Sequence, residues 1–273
     1  KITRNLVGWL TGINVDEILD KILPQGKGLL VPIDHPVSSY PVTGLEDIGN
    51  TLNDLSPDFV NAVVAHKGVV SSYSQSKHNF LMHLSASTVH SGNRTLEKVN
   101  VGTVEEAKQR GAIGVSVQVN LGTVHENNML ERLGQITTDA YKLRMPCLGM
   151  IYPRGPHLVV EKNDPTKGAA HAVRLAYELG CNMVKTIWTG EESFPLVVEA
   201  APIPVFIAGG PTHGTIEGLF DMIYAAMQSG AAGVCMGRQI FSNPRKGALI
   251  QAISKIIHDG FDSEEAMKYF EDL

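Results

Sequence analysis

The segment Met183-Val184-Lys185-Thr186-Ile187-Trp188-Thr189-Gly190 places a lysine inside a run that otherwise reads as a buried parallel strand. Burying an ammonium is costly, so an unpaired lysine in such a place tends to lose its proton. A neutral amine attacks carbonyls and forms Schiff bases. Two further reactive groups end apolar runs. Asp34 ends Leu29-Leu30-Val31-Pro32-Ile33, and Tyr152 ends Cys147-Leu148-Gly149-Met150-Ile151. An amine, a carboxylate and a phenol on three strand ends can build an iminium on a ketone. They can also move a proton while a carbon–carbon bond forms or breaks. Each residue has a plainer reading. Lys185 could reach past the strand into water. Asp34 could cap a helix or pair with Lys67. Tyr152 could be a core aromatic with its hydroxyl at the rim.

A second pattern suits an anion. Val205-Phe206-Ile207-Ala208-Gly209-Gly210-Pro211 and Val234-Cys235-Met236-Gly237-Arg238 both run from a strand into glycine. Glycine lets backbone N–H groups approach a phosphate, and Arg238 can add a bidentate contact. Tight turns alone would also explain the glycines of either loop. The two loops together, with an arginine, favour phosphate. His66, His83, His90 and His125 lack metal-ligand spacing and read as rim or surface residues, so no metal is expected.

These groups need elements to position them. Eight apolar runs read as buried strands: 29–34, 59–65, 80–84, 114–119, 147–152, 183–187, 205–208 and 233–236. Helical segments separate them. One covers 104–110, with Thr103 as its N-cap. Others cover 130–144, 166–180 and 246–258, and a short one lies around 264–270. Gly111, Gly180 and Gly230 stand where C-cap glycines belong. The connection 69–78 has the weakest helical pattern. Eight strands alternating with helices predict an α/β fold, a (β/α)₈ TIM barrel in one domain spanning 1–273. Residues 1–24 form an N-terminal helical extension covering the barrel bottom, 25–260 the barrel, and 261–273 a terminal helix. A doubly wound open sheet is the alternative, but no GxGxxG turn follows the first strand. In such a barrel the active site lies at the C-terminal strand ends. The polar residues there are Asp34, His35, His66, Lys67, Ser85, Ser87, Gln118, Asn120, Tyr152, Arg154, Lys185, Trp188 and Arg238.

The composition narrows the class. Lys and Arg number 23 against 28 Asp and Glu, for a formal charge of −5 spread along 273 residues. A concentrated basic face for nucleic acid or a membrane surface is therefore not expected. No run of about 18 apolar residues suggests a membrane span. The three cysteines, Cys147, Cys181 and Cys235, lie in apolar segments without a CxxC pair, as reduced core thiols of a cytoplasmic protein do.

Seven motifs recur in an order that resembles one family. They are Val31-Pro32-Ile33-Asp34-His35, His66-Lys67-Gly68, Leu84-Ser85-Ala86-Ser87-Thr88, Tyr152-Pro153-Arg154-Gly155, Val184-Lys185-Thr186 with Thr189-Gly190, Ile207-Ala208-Gly209-Gly210-Pro211, and Gly237-Arg238. The chain resembles the archaeal-type class I aldolases. That group includes fructose-bisphosphate aldolase, 2-amino-3,7-dideoxy-D-threo-hept-6-ulosonate synthase and a thiolase for phosphorylated autoinducer-2. The resemblance implies Lys185 as Schiff-base lysine, Asp34 as the strand-one carboxylate and Tyr152 as general acid/base. It implies Gly209, Gly210, Gly237 and Arg238 as the phosphate site, with His35 and Arg154 as further substrate contacts. It implies a phosphorylated ketose or ketone and an aldehyde as partners, no metal or other cofactor, and a homo-oligomeric ring, often a decamer. Met150 stands where the fructose-bisphosphate enzymes carry Trp, and Pro36 stands where the family carries glycine. The expected function is therefore a Schiff-base aldolase or transaldolase-like synthase whose acceptor resembles aspartate semialdehyde. The alternatives are fructose-1,6-bisphosphate aldolase and a non-catalytic or isomerising phosphate-binding barrel.

Overall fold

Strands that are apolar on both faces need cover on both. A closed ring supplies it on one side and helices on the other. The computed structural model, which describes residues 15–159, 164–210 and 214–273, has this architecture. Its parallel strands are β1 (Gly28–Pro32), β2 (Ala62–Ala65), β3 (Phe80–His83), β4 (Gly114–Leu121), β5 (Cys147–Pro153), β6 (Met183–Thr186), β7 (Val205–Ala208) and β8 (Gly233–Cys235). They pair in chain order, and β8 closes on β1. All eight expected strands are present.

Side chains alternate across each strand. Leu29, Val31, Val63, Met82, Val115 and Val117 point outward, into the layer shared with the helices. Leu30, Val64, Leu81, Leu148, Met183 and Phe206 point inward and fill the barrel's lower half. The Val15–Ile22 helix closes the bottom. Ile22 and Leu23 are buried in the inner cluster, and Ile18 and Leu19 pack against it. The part of the expected extension before Val15 lies outside the described residues.

Local signals set the helix ends. Thr103 caps Val104–Gln109 by accepting from the Glu106 N–H, and Asp262 closes a capping box on Ser263–Asp272. Gly111, Gly180 and Gly230 take positive φ after their helices. Two features depart from expectation. The helix after β2 is Lys67–Ser72, because the serines beyond it bond the backbone locally, as Ser74 does to Ser71 O. A small antiparallel pair, Ser85–Ala86 with Val99–Asn100, follows β3. Two-residue strands are too short to leave a periodic trace.

The barrel seam rests on glycine. Gly28 and Gly233 face each other in the β1–β8 register. A Cβ on Gly233, whose φ is +139°, would lie 1.9 Å from the Gly28 carbonyl oxygen. Gly233→Ala should therefore cost at least about 2 kcal/mol. Gly260→Ala, strained at φ +77° but facing open space, should cost about 1 kcal/mol. Urea denaturation of both variants checks this. Equal losses would show that backbone conformation, not the seam contact, sets the cost.

Candidate active site

Above the apolar lower half, the same inward parity brings polar side chains together. Asp34 lies just past β1 and His66 past β2. His83 is on β3, Gln118 on β4, Tyr152 on β5 and Lys185 on β6. They line one cavity of about 500 Å³ at the C-terminal end of the barrel. The glycine loops after β7 and β8 complete it with Gly209, Gly210, Gly237 and Arg238. Every residue expected to act on substrate therefore lines this cavity, His35 and Arg154 included. Pro211 lies outside the described residues.

Lys185 is 8% exposed. Burial alone pushes its amine down, but Cys235, Tyr152 and Asp34 outweigh burial and hold it above the usual lysine range. The expectation of an unpaired lysine is thus corrected: its amine has the Tyr152 hydroxyl and the Cys235 thiol as hydrogen-bond partners, with the Asp34 carboxylate as the nearby anion. Burial holds the Cys235 thiol protonated, pushing it up to about 11. Met150 is the strand neighbour of Lys185 and lines the same wall.

Asp34 sits among three imidazoles. Its carboxylate is 3.6 Å from both His35 Nδ1 and His83 Nε2. These are electrostatic contacts, beyond hydrogen-bond range. Burial would raise Asp34, but His83, His35, His66 and Lys185 together hold it below the usual carboxylate range. Burial lowers His35 and His66 and takes His83 down to about 3, each against the pull of Asp34. With neutral imidazoles, the cations that feel Asp34 in the cavity are Lys185 and Lys98. His83 is a second correction. It is 3% exposed inside the barrel, not at a rim. With Nε2–H turned to Asp34, its Nδ1 accepts from Ser116 Oγ–H at 2.7 Å. Its signal was its even spacing with Leu81 in β3.

β4 and β5 outlast the other strands, paired as far as Leu121 with Pro153. Gly155 then lies so close to Gly122 that a Cβ would fall 1.9 Å from its carbonyl carbon. This zipping carries Arg154 over the Tyr152 ring, 4.0 Å from its centroid. The glycine loops after β7 and β8 are tied in the same way. Gln239 Nε2 donates to Gly209 O. A Cβ on Gly237 would lie 2.2 Å from Pro32 O and 2.9 Å from His35 Cε1. The His35 ring meets Phe241 edge-on at 5.2 Å, and Pro36 lies in the short His35–Val37 turn.

Other expected residues lie elsewhere. Lys67 pairs with Glu106 at 3.2 Å and not with Asp34. Trp188 packs on Phe194. Asn120 is fully buried and donates to Leu96 O. Lys98, which the sequence did not single out, lines the cavity from the connection after β3. Among the described residues, no three His, Cys, Asp or Glu side chains are grouped to hold a metal ion, and no helix is long and apolar enough to cross a membrane.

Residues 29–243 match the DeoC/LacD family aldolase. The chain is 37% identical over 255 residues to 2-amino-3,7-dideoxy-D-threo-hept-6-ulosonate synthase of Halobacterium salinarum, covering 91% of this chain and 93% of that one. It is 34% identical over 236 residues to 2-amino-4,5-dihydroxy-6-oxo-7-(phosphonooxy)heptanoate synthase of Streptomyces griseus, with 84% of each chain covered. Among solved structures it resembles a Schiff-base-forming fructose-1,6-bisphosphate aldolase. The TM-score is 0.80 at 26% identity, over 90% of this chain and 100% of that one.

The neutral buried imidazole has a consequence for pH. His83 binds a proton at about pH 3 when folded and 6.5 when unfolded. Its contribution is present above pH 6.5 and is lost as pH falls toward 3, because the unfolded chain then binds more protons. Thermal melts should therefore decline between pH 6.5 and 4, and His83→Gln should decline less steeply. Parallel declines would show that His83 is not buried in its neutral form.

Proposed function

The chain belongs to the DeoC/LacD aldolase family, and from that premise we propose a phosphorylated ketone or ketose as donor, an aldehyde resembling aspartate semialdehyde as acceptor, and Lys185 as the Schiff-base residue. The observation that carries this reading is the meeting of Lys185, Tyr152 and Asp34 in one cavity with two glycine loops and Arg238.

Donor phosphate sits on the backbone N–H groups of Gly209, Gly210 and Gly237 and on the Arg238 guanidinium, with His35 beside them. Its ketone then lies against β6. Lys185 gives its proton to Asp34, and the freed amine attacks the carbonyl. The carbinolamine takes that proton back on oxygen and loses water, leaving the iminium. The cationic nitrogen draws electrons from the adjacent carbon as Tyr152, with Asp34, removes its proton. The enamine attacks the aldehyde carbon, Tyr152 protonates the new alkoxide, and water releases the product from Lys185. Proton transfer of this kind contributes roughly 10²–10⁴-fold. Arg154, stacked on Tyr152, fixes the phenol's orientation over the reacting carbons. The same groups run in reverse cleave an aldol.

Support for the acceptor comes from the wall beside Lys185. Met150 shapes that wall, and acceptor choice follows from shape at the transition state. The compounds for which the two synthase relatives are named carry an amino group on a seven-carbon chain, as a product from an amino-acid aldehyde would. We place the enzyme in the cytoplasm as a homo-oligomer, in keeping with its reduced, buried cysteines and with the family resemblance. Light scattering reads the assembly.

Borohydride trapping tests the chemistry. Wild type should gain the mass of the reduced donor at Lys185, and Lys185→Met should fold yet lose both trapping and turnover. Turnover persisting near the wild-type rate would leave a phosphate-binding barrel without iminium chemistry. Arg238→Ala should raise KM for the phosphorylated donor by roughly tenfold or more, because charge-assisted bonds are worth about 1.5–3 kcal/mol. It should hardly change KM for an unphosphorylated analogue, and equal losses would make Arg238 structural. The acceptor is decided by kcat/KM for condensation with aspartate semialdehyde against fructose-1,6-bisphosphate cleavage. Cleavage faster by tenfold, roughly 1.4 kcal/mol, would make the enzyme a fructose-bisphosphate aldolase.

A further inference from the structure

The charges lining the cavity do not balance. Lys98, Arg154, Lys185 and Arg238 stand against Asp34 alone. Lys185 and Asp34 offset each other. Lys98, Arg154 and Arg238 form no ion pair among the described residues. A phosphate brings about −1.5 to −2 at neutral pH. One phosphate on Arg238 therefore leaves cationic charge at the far side of the cavity unmatched.

That far side is built around Lys98. Its backbone is fastened to the Glu126–Leu143 helix: the Lys98 N–H donates to Met129 Sδ at 3.5 Å, and Arg132 Nη1 donates to Lys98 O at 2.6 Å. Its ammonium donates to Ser87 Oγ at 2.7 Å, and Ser87 Oγ–H donates to Thr95 O. One of three N–H donors is used in this way, which leaves two for a ligand. Lys98 belongs to the β3–β4 connection, and Arg238 follows β8. In a ring of eight strands, the β3–β4 gap lies across from the β7–β8 gap. A donor with its phosphate at β7–β8 and its carbonyl on Lys185 presents its growing end toward β3–β4.

We propose that Lys98, with Arg154 beside it, binds an anionic group at the distal end of the aldehyde acceptor. The substrate class is a short aldehyde carrying a carboxylate or a phosphate. This rests on the donor placement given above and deepens it. Ser87 is the positioning residue that aims Lys98.

The test compares three acceptors with one donor: aspartate semialdehyde, glyceraldehyde 3-phosphate and uncharged glyceraldehyde. Lys98→Met should raise KM for the anionic acceptor by at least roughly tenfold more than for glyceraldehyde, the size expected of a lost charge-assisted bond. Lys98→Arg should recover most of that discrimination. Ser87→Ala, which releases the ammonium without deleting it, should lose part of it. A selective loss on aspartate semialdehyde identifies a carboxylate, and one on glyceraldehyde 3-phosphate identifies a phosphate. Equal changes on charged and neutral acceptors, or none, would overturn the assignment. Borohydride trapping with donor alone separates the two readings. Wild type that cannot be trapped defeats the iminium mechanism. Wild type that is trapped, beside variants without discrimination, defeats only the role of Lys98.

Discussion

An amine and a carboxylate share the inside of this barrel, and each favours the charged form of the other. Left alone, Lys185 would shed its proton and Asp34 would gain one, because hydrocarbon solvates neither ion. In the barrel they shift in opposite directions, Lys185 up and Asp34 down, and each is among the causes of the other's shift. The neutral imidazoles around Asp34 fit this arrangement. A second full cation there would compete with Lys185 for the carboxylate.

The barrel interior has two storeys, and strand parity builds both. Below are Leu30, Val64, Leu81, Leu148, Met183 and Phe206. Two residues on, along the same strands, the inward positions become His66, His83, Met150 and Lys185. The change from hydrocarbon to polar groups therefore falls within individual strands. The lower storey fixes the height and direction of the upper one, because a strand packed tightly below has little freedom to turn above. Where the site must reach further, β4 and β5 are longer, and their glycines at 122 and 155 lock the extension.

The sequence was most legible where local chemistry and burial agree. Continuous apolar runs announced all eight strands, and Lys185, Asp34 and Tyr152 were conspicuous because each interrupted or ended such a run. Glycines 111, 180 and 230 marked helix ends because few other residues accept their φ. Legibility failed where a property depends on residues far apart in the chain. The surroundings of Lys185 come from Tyr152, Cys235 and Asp34, which are far from it in the chain. His83 looked like one more scattered histidine, although its parity with Leu81 already directed it inward. Lys98 was hidden among the polar residues of a connection, and only its fastening to the helix after β4 brings it over the cavity.

The Val15–Ile22 helix has a kinetic meaning. With Ile22 and Leu23 filling the barrel's lower end, the cavity opens through the mouth formed by the strand-end loops. Lys185 is more deeply buried than Lys98. A floor plugged in this way makes the cavity a shaft loaded and emptied from the top, so whatever occupies the mouth controls access to Lys185.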